Sequence, residues 1–527
     1  MSDDMSDDEI RETPPLRTRN VGRGFSYEEP LIFERSRPGR IGYSLPDLDV
    51  PAVDPAAVLP EKLIRSDEPD LPELSEIDVI RHFTRLSTWN AAVDLGIYPL
   101  GSCTMKHNPR INEKLARLPG FAAGHPLQPA ALCQGFLALV WRLEQQLAEI
   151  SGMDQVSLQP AAGAQGELAG IMMIRAYHER AGQRRTHMMI PDTAHGTNPA
   201  SAALNQYEVI TIPSGEDGIL HPQDVAERMT PEVAGIMLTN PNTLGLFEVH
   251  VAEIAEIVHA EGGLVYGDGA NLNAILGVAR PGDLGIDVMH FNLHKTFSTP
   301  HGGGGPGAGP IGVKNLLVPH LPGPRVVQLD GDSSPSYQLD SDLPHSIGRL
   351  HGGFGNSGML VRAYCYIRSL GPEGLRRCAE MAVLNANYLL ARLKDRFHVP
   401  YPGGVMHECV LSDRNLHDTG VTTLDIAKRL IDHGYHPPTI YFPLIVPGAI
   451  MIEPTESESL EELDRFASAL LEIEREARED PEIVKGAPHS TRHSRLNETQ
   501  AARRPILRWQ DPKQLETDSE TSSGSKS

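Results

Sequence analysis

Four short motifs, each following a run of apolar residues, carry the side chains that could do chemistry. In the last of them, at residues 292–297, Lys295 closes an apolar stretch that begins at Val288. A charged lysine is costly to bury, so an amine in this position is suited to react as a nucleophile and form an imine with a carbonyl group. The alternative is a lysine whose long side chain simply reaches solvent from the end of a strand.

A carboxylate follows the apolar run at 263–266. Asp268 could pair with the protonated nitrogen of a heteroaromatic ring, and a ring kept charged in this way draws electrons from the groups bonded to it. Ala270, two residues further on, is small enough to let such a ring lie flat. Taken alone, however, Asp268 is more simply explained as the cap of a helix.

The other two motifs could bind the remaining parts of an aromatic, phosphorylated ligand. His195, in the DTAHGTN motif at 192–198, could stack on a ring, or it could be a surface histidine of a turn. In the AAGAQG motif at 161–166, the backbone N–H groups of Ala162, Gly163 and Ala164 could bind an anion at a helix N-terminus. A tight turn between a strand and a helix would have the same composition.

In chain order, the motifs give a phosphate turn, a stacking histidine, a carboxylate for a ring nitrogen and a lysine for an imine. This order resembles that of fold type I transferases that depend on pyridoxal 5'-phosphate (PLP). The resemblance implies that Lys295 holds PLP as a Schiff base. The 27 residues from Asp268 to Lys295 leave room for one further crossover of the chain.

A longer stretch narrows the resemblance. Residues 268–313, DGANLNAILG followed by RPGDLGIDVMHFNLHKTFSTPHGGGGPGAGPIGV, are similar to the PLP segment of glycine decarboxylase, the P-protein of the glycine cleavage system. Other matching stretches are LIFERSRPGRIGYSLP from Leu31, YPLGSCTMKHNPRIN from Tyr98, HGTNPASA from His195, LTNPNTLGLFE from Leu238 and PPTIYFPLIVPGAIMIEPTESES from Pro437. The length matches the C-terminal-half subunit of the two-chain form of this family.

The resemblance implies a reaction and its partners. We expect PLP-dependent decarboxylation of glycine, with release of CO2 and transfer of the aminomethyl group to the lipoyl arm of an H-protein. The expected partners are glycine, the N-terminal-half subunit (subunit 1) and the lipoylated H-protein, in a heterodimer that could double to a heterotetramer.

The resemblance also implies roles for individual residues. The expected catalytic residues are Lys295, Asp268 and His195. The expected cofactor-binding residues are these three with Ala270, Ala162, Gly163, Ala164, Asn240, Thr243 and His294. The expected substrate-side residues are Ser102, Cys103, Thr104, Lys106 and His436, with Glu453 and Glu456 at the lipoyl entrance.

Simpler explanations remain for several of these residues. Asn240 and Thr243 could form an Asn-Pro turn, and Cys103 could be a buried thiol without chemistry. The stretch that contains Glu453 could be a domain edge. His290, His294 and His301 do not have the spacing of a zinc site, so no metal is expected.

Apolar periodicity predicts the elements that position the motifs. Residues 136–150 repeat apolar side chains at three- and four-residue steps, which indicates a helix ended by Ser151-Gly152, and 251–258 form a second helical face. The predicted strands are 155–158, 187–190, 209–212, 235–238, 264–266 and 288–293. Strands that alternate with helices favour an α/β class with a mostly parallel sheet and a smaller C-terminal α+β domain.

Composition sets the domain limits and excludes some partners. We expect an acidic segment and extended arm at 1–75, a segment that contributes to the active site at 76–130, a PLP-binding large domain at 131–345, a small domain at 346–485 and a disordered polar tail at 486–527. The net charge of −22 argues against nucleic acid and anionic membranes as partners. The scattered cysteines and an N-terminus without basic or apolar stretches favour a cytoplasmic protein.

Two rival functions remain at this point. Another PLP enzyme, such as an amino-acid decarboxylase or a class V aminotransferase relative, would use the same lysine and carboxylate, with Arg349 or Arg362 fixing a substrate carboxylate. A non-catalytic scaffold subunit is the second rival, which the presence of Lys295 disfavours. The RLHGGFGNS stretch from Arg349 is less aromatic than the family pattern, so contacts there are not assigned.

Overall fold

The computed structural model describes residues 29–67, 69–125, 128–300, 307–329 and 335–509, with the two-residue strands Arg19–Asn20 and Phe25–Ser26. These residues divide into two compact units, one from Ala92 to Thr491 and one that combines the chain up to Ala91 with the chain from Arg492 on. Most of the first 28 residues, which belong to the predicted acidic segment and arm, and residues 510–527 of the predicted tail lie outside the described residues. The predicted boundaries at residues 75, 130, 345 and 485 stay predictions.

A seven-stranded sheet forms the centre of the 92–491 unit. Its strands are β1 (Gln155–Ser157), β2 (His187–Pro191), β3 (Glu208–Ile212), β4 (Val233–Thr239), β5 (Leu264–Asp268), β6 (Val288–His290) and β7 (Ile311–Val313). The spatial order is β1-β7-β6-β5-β4-β2-β3, and only β7 runs antiparallel to its neighbours. Every residue of β4 and β5 is buried, as expected for parallel strands covered on both faces. The predicted α/β class with a mostly parallel sheet is confirmed.

Helices cover the sheet and continue into the C-terminal region. Their bounds are Arg110–Ala116, Pro119–Ala122, Gln134–Ser151, Gly163–Arg180, Asn198–Leu204, Pro222–Ala226, Val251–Ala260, Leu293–Thr296, Ser357–Leu393, Thr423–Asp432, Leu460–Glu479 and Pro481–Lys485. Short 3-10 helices lie at Ala130–Leu132, Gly269–Ala274, Pro281–Leu284, Asn315–His320 and Asp413–Thr419. The helix predicted at 136–150 is confirmed, and Gly152 ends it with a positive φ of 71°. In the described residues, no helix combines the length and apolar character that a membrane crossing requires.

The C-terminal part of this unit carries its own small sheet and core. A hairpin joins β8 (Arg325–Leu329) to β9 (Ser336–Asp340), and an antiparallel sheet has the order β10 (Cys409–Ser412), β12 (Ala449–Ile452), β11 (Thr439–Ile440). Helix Leu460–Glu479 and the end of Ser357–Leu393 contribute the buried residues that pack on this sheet. The helix Ser357–Leu393 is kinked where Gly371 has φ 63° and ψ −177° and Pro372 follows.

The second unit contains the N-terminal arm. Its helices are Pro55–Val58, Glu76–Ser87 and Glu498–Arg503, with 3-10 helices at Ile32–Arg35 and Glu61–Leu63. Buried Glu29 accepts hydrogen bonds from His82 at 2.8 Å and Arg85 at 3.0 Å, which attaches the start of the arm to helix Glu76–Ser87. Along the arm, Ile41, Tyr43, Leu45 and Leu48 are each 72–79% exposed.

Two sequence predictions differ from the structure. The strand expected at 288–293 ends at His290, and Lys295 lies in the helical turn Leu293–Thr296, because the Asn292 carbonyl accepts from the amides of Lys295 and Thr296. Part of the tail expected to be disordered from 486 is helical at Glu498–Arg503, where the Asn497 side chain caps the Gln500 amide.

Candidate active site

The four motifs meet at one edge of the seven-stranded sheet. The small-residue turn follows β1, His195 follows β2, Asp268 ends β5, and Lys295 comes five residues after β6. Because the carboxyl ends of parallel strands lie on the same edge, the fold brings these side chains together. Asp268 lies near the middle of the edge, since β5 has three strands on each side.

Asp268 is a buried carboxylate with a full set of partners. One oxygen accepts from the Asn198 side chain at 2.9 Å, and the other accepts from the Ala270 amide at 2.9 Å. Burial acts to raise the pKa of Asp268, but the nearby His290 and His195 and the two hydrogen bonds outweigh it and lower the pKa to about 2. Asp268 is therefore ionised at neutral pH.

Two histidines lie on either side of this carboxylate. The His195 Nδ1 atom is 3.9 Å from one Asp268 oxygen and 3.0 Å from the Thr197 hydroxyl, and the His195 backbone amide donates to Thr239 at 3.0 Å. The His290 Nε2 atom is 3.5 Å from the other Asp268 oxygen. Burial is the largest influence on both rings: it lowers the pKa of His195, and it lowers that of His290 to about 4. Both rings are therefore neutral at neutral pH.

The turn after β1 is a tight backbone cradle. Ala162 is the extended residue before the 18-residue helix Gly163–Arg180, and no side chain caps the helix at this residue. A Cβ atom on Gly163 would lie 2.2 Å from the Asn292 side-chain oxygen, and one on Gly309 would lie 2.0 Å from the Ala162 carbonyl oxygen. Glycine is required at both points, so the N–H groups of the first helical turn stay open to an anion.

Lys295 is a buried side chain that follows the carboxyl end of β6. The residue is 7% exposed, and its amine donates to the Ser102 carbonyl oxygen at 2.8 Å. After burial, the charge of Lys295 also acts to lower the pKa values of His195 and His290. The helical turn, rather than a strand end, sets the direction of this side chain.

The predicted substrate-side loop lies against the C-terminal region. The Ser102 amide donates to Glu408 at 2.7 Å, and the Thr104 amide donates to Glu453 at 2.9 Å. Between them, Cys103 is partly buried, and burial raises the pKa of its thiol. The thiol is therefore protonated at neutral pH, which agrees with the simpler explanation of Cys103.

The amine of Lys106 is fully engaged in the structure. It donates to Asn273, to the Thr296 carbonyl and to Glu456 at 2.7–2.8 Å, and to the Tyr366 hydroxyl at 3.2 Å. Lys106 was predicted to face substrate and Glu456 to line an entrance, but the structure pairs the two groups in the interior. Lys106 thereby contacts the turn that carries Lys295 through the Thr296 carbonyl, and the predicted roles of Lys106 and Glu456 stay predictions.

Other predicted residues are placed as follows. The Asn240 side chain bonds the backbone of Glu248, and the Thr243 hydroxyl donates to the Thr193 carbonyl at 2.9 Å, so both residues stabilise their own loop. Glu453 is fully buried, which is unlike an entrance residue. The His294 Nδ1 atom accepts from the Ala308 amide at 3.4 Å.

His436 and the arginines of the rival function are also placed. The His436 ring stacks on Tyr98, with ring centroids 4.1 Å apart, and its Nδ1 donates to the Pro437 carbonyl at 2.7 Å. Arg362 forms two hydrogen bonds with Glu113, at 2.6 and 3.0 Å, and Arg349 is exposed. Because Arg362 is paired with Glu113, it does not support the aminotransferase hypothesis.

Sequence reasoning missed three residues of this site. Asn198 was quoted only as part of a motif, His290 was considered only as a metal ligand, and Asn292 was not assigned. Among the described residues, the Asn198 side-chain oxygen and one Glu167 oxygen are buried without a hydrogen-bond partner. The motif HGTN places Asn198 three residues after His195, and that spacing was the signal available.

These features fit PLP. The helix N-terminus behind the glycine cradle suits a phosphate, and an ionised carboxylate suits a protonated ring nitrogen. A buried lysine amine and unpaired polar atoms such as the Asn198 oxygen lie in the same region.

Comparisons with known proteins show the family of this chain. The family model for "Glycine cleavage system P-protein" matches residues 40–340, and that for "Glycine dehydrogenase, C-terminal domain" matches 378–496. "Probable glycine dehydrogenase (decarboxylating) subunit 2" of Halalkalibacterium halodurans is 58% identical over 92% of this chain and 98% of its own length. The corresponding protein of Bacillus licheniformis is 57% identical over 92% of this chain and 99% of its own length.

Solved structures share the fold. The crystal structure of a glycine decarboxylase (P-protein) in inhibitor-bound form has a TM-score of 0.68 and 23% identity, over 79% of this chain and 93% of that one. A glutamate decarboxylase from Lactobacillus brevis has a TM-score of 0.58 and 15% identity, over 86% and 98% of the two chains. The fold is therefore that of fold type I PLP enzymes, and the chain belongs to the glycine cleavage system P-protein family.

Proposed function

We propose that this chain is the catalytic subunit 2 of a glycine dehydrogenase (decarboxylating), which uses PLP on Lys295 to decarboxylate glycine. The observation that carries the proposal is that a buried lysine, Lys295, and an ionised carboxylate, Asp268, lie at or shortly after the carboxyl ends of two neighbouring parallel strands, β6 and β5, in a chain of the P-protein family. The subunit that only supports another chain's site would not need this pair of residues.

PLP, when bound, supplies an electron-withdrawing ring that stabilises the negative charge left on the glycine α-carbon when CO2 departs. Asp268 provides the negative charge that favours a protonated ring nitrogen, and its partners Asn198 and Ala270 hold it in place. The N–H groups after Ala162 would bind the phosphate. His195 is neutral, so its ring can face the cofactor without adding charge.

Other residues of the chain exclude water and fix the lysine. Lys106 holds the turn that contains Lys295 through the Thr296 carbonyl, and Ser102 accepts the hydrogen bond of the Lys295 amine. Because these contacts are buried, charges in the pocket act through a medium of low polarity. Proton transfer to and from the Lys295 amine is thereby confined to groups in the pocket.

Two partners are part of the proposal. The arm, with the exposed apolar side chains Ile41, Tyr43, Leu45 and Leu48, would be covered by subunit 1, since contiguous exposed apolar surface marks an interaction site. A lipoylated H-protein would accept the aminomethyl group. We place the lipoyl arm near the stack of Tyr98 and His436, because His436 is one of the expected substrate-side residues and Tyr98 lies shortly before the loop at 102–104.

The first test is chemical trapping. The chain purified with subunit 1 and PLP should show a visible absorbance band that borohydride abolishes, and peptide mass spectrometry should find the pyridoxyl group on Lys295. Lys295→Ala should lack both the band and the adduct, whereas Lys114→Ala, at an exposed site, should keep both. An adduct on another residue would refute the assignment.

The second test concerns the substrate. Exchange of labelled bicarbonate into glycine, in the presence of lipoylated H-protein, should require Lys295 and should not occur with glutamate or other amino acids. Exchange into a different amino acid with glycine inactive would favour the rival decarboxylase function. We also propose that the protein acts in the cytoplasm, which fractionation of the source cells would check.

A further inference from the structure

A buried cluster of three ionisable side chains lies behind the loop at 102–104. His407, Glu408 and Glu453 are each fully buried, and the His407 Nε2 atom is 4.0 Å from one oxygen of each carboxyl group. Among the described residues, neither ring nitrogen of His407 has a hydrogen-bond partner, nor does one Glu453 oxygen. The reaction assigned above uses none of these three residues.

The two carboxyl groups bind the backbone of the loop at two points. Glu408 accepts from the Ser102 amide at 2.7 Å, and Glu453 accepts from the Thr104 amide at 2.9 Å. Ser102 and Thr104 have φ values of 60° and 43°, in the left-handed region that residues with a side chain rarely adopt. Such strained backbone persists only where the surroundings impose it.

This conformation directs a carbonyl oxygen at Lys295. The Ser102 carbonyl accepts from the Lys295 amine at 2.8 Å, while the amide of the same residue is held by Glu408. The loop is also held from the side, since a Cβ atom on Gly101 would lie 2.2 Å from the Met451 side chain. The 102–104 loop therefore links the Lys295 amine to Glu408, which precedes β10, and to Glu453, which follows β12.

We propose that Glu408 and Glu453 are positioning residues that hold the 102–104 loop so that the Ser102 carbonyl forms a resting site for the Lys295 amine. The amine occupies this site whenever it is not bonded to the cofactor. The inference rests on the proposed role of Lys295, but its test is independent of the trapping experiment, so the two can fail separately.

The charges of the cluster suit this role. Burial and the neighbouring Glu453 raise the pKa of Glu408 well above its usual range, and burial lowers the pKa of His407. Each carboxyl group has a backbone amide as its donor, Ser102 for Glu408 and Thr104 for Glu453, and the charge of Lys295 acts to lower the pKa of Glu408 against these larger influences.

The test measures the loop and the lysine directly, in the full chain freed of cofactor. Hydrogen exchange, read on peptides that contain 102–104, reports the two amides. The rate at which an acylating reagent modifies Lys295, relative to exposed Lys114, is read by mass spectrometry. Glu408→Ala and Glu453→Ala should each speed both the exchange and the acylation at least tenfold.

Matched variants distinguish the effect of the hydrogen-bond acceptor at Glu408 and Glu453 from the effect of their charge. Glu408→Gln and Glu453→Gln keep an acceptor oxygen for the amide and should leave both rates close to wild type. Glu474→Ala removes a buried carboxylate from helix Leu460–Glu479, away from the loop, and should change neither rate. If an alanine variant does not fold, the aspartate variant, which withdraws the acceptor by one methylene, replaces it with the same expectation.

Two results would overturn the proposal. One is a folded alanine variant, with an unchanged melting temperature, whose loop exchange and Lys295 acylation match wild type. The other is faster acylation in the glutamine variants while the 102–104 amides stay protected, because charge rather than position would then hold the lysine.

Discussion

At the residue scale, Asp268 keeps its charge in a place where burial alone would remove it. Two hydrogen bonds and two neighbouring histidines lower its pKa to about 2, so the carboxylate is ionised over the whole working pH range. A neutral amide of the same shape could accept the same backbone hydrogen bond but could not stabilise a protonated ring nitrogen. The charge, rather than the shape, is therefore the functional property of this side chain.

Asp268→Asn tests that statement. We expect the variant to fold and to lose roughly 10²-fold or more in glycine decarboxylation, the order seen when one preorganised electrostatic group is removed from an active site. Bicarbonate exchange and the absorbance band of the bound cofactor measure the effect. Asp287→Asn, at a buried aspartate that binds the Val265 amide and His259, is the control. Full activity in Asp268→Asn would contradict the assigned role.

The two site histidines differ in what they contribute at this scale. Burial holds both rings neutral, but His290 also contacts Tyr266 and Asn292, whereas the His195 side chain is 27% exposed. His195 is therefore the ring that a ligand can reach. His290 is the last residue of β6, and its distance of 3.5 Å from Asp268 was informative only once the structure was known.

At the element scale, the strands were predictable because parallel strands buried on both faces are continuous apolar runs. The runs at 187–190, 235–238 and 264–266 each became a buried strand of the sheet, and the run at 209–212 became the largely exposed edge strand β3. The run at 288–293 is a strand only as far as His290, because apolar residues of a buried helical turn look the same as those of a strand. Hydrogen bonds to the Asn292 carbonyl, which no composition rule reveals, decide between the two.

Helix Gln134–Ser151 contains a buried acid that makes a pH-dependent prediction. Glu144 is buried, and burial raises its pKa to about 8, against the pull of Arg325 and a backbone hydrogen bond. The folded protein keeps this proton at pH values where the unfolded chain, with an ordinary carboxyl group, has released it. The contribution of protonated Glu144 to the free energy of unfolding is thus intact below about pH 4.5 and is lost as the pH rises toward 8.

Glu144→Gln should remove the pH dependence that Glu144 gives to the stability of the protein. We expect the melting temperature of the variant, relative to wild type, to rise by a few degrees as the pH increases from 5 to 8, because glutamine has no proton to lose. Thermal unfolding followed by circular dichroism at several pH values measures the difference. Glu149→Gln, at the exposed end of the same helix, should show no such trend, and a constant difference for Glu144→Gln would contradict the prediction.

At the scale of the whole molecule, sequence patterns pointed to candidate residues near the large sheet, and in the C-terminal region they pointed to His436, Glu453 and Glu456 but not to Glu408. Asp268, His195 and Lys295 stand in recognisable motifs close to strand ends. Glu408 reaches Ser102 across 306 positions of sequence. Its surroundings, VMHECVLS, form an ordinary apolar strand pattern, so only the tertiary fold shows which loop the carboxyl group meets.

The arm makes a prediction about assembly. Replacing Ile41, Leu45 and Leu48 together by serine should weaken association with subunit 1, since these side chains are exposed in the chain and would lose apolar burial in a complex. Light scattering after size-exclusion chromatography would measure the complex. Leu132→Ser, at another exposed leucine, is the control. Undiminished association of the triple variant would show that subunit 1 contacts a different surface.

The Lys106 ammonium has a consequence for how the protein matures. Its acceptors come from four segments: the turn after β5, the Lys295 turn, helix Ser357–Leu393 and the stretch after β12. A nascent polypeptide that ends before Glu456 can offer the amine no anion, and the Thr296 carbonyl would lack a fixed donor. We expect the chain to bind PLP late in its folding, after the C-terminal strands have left the ribosome.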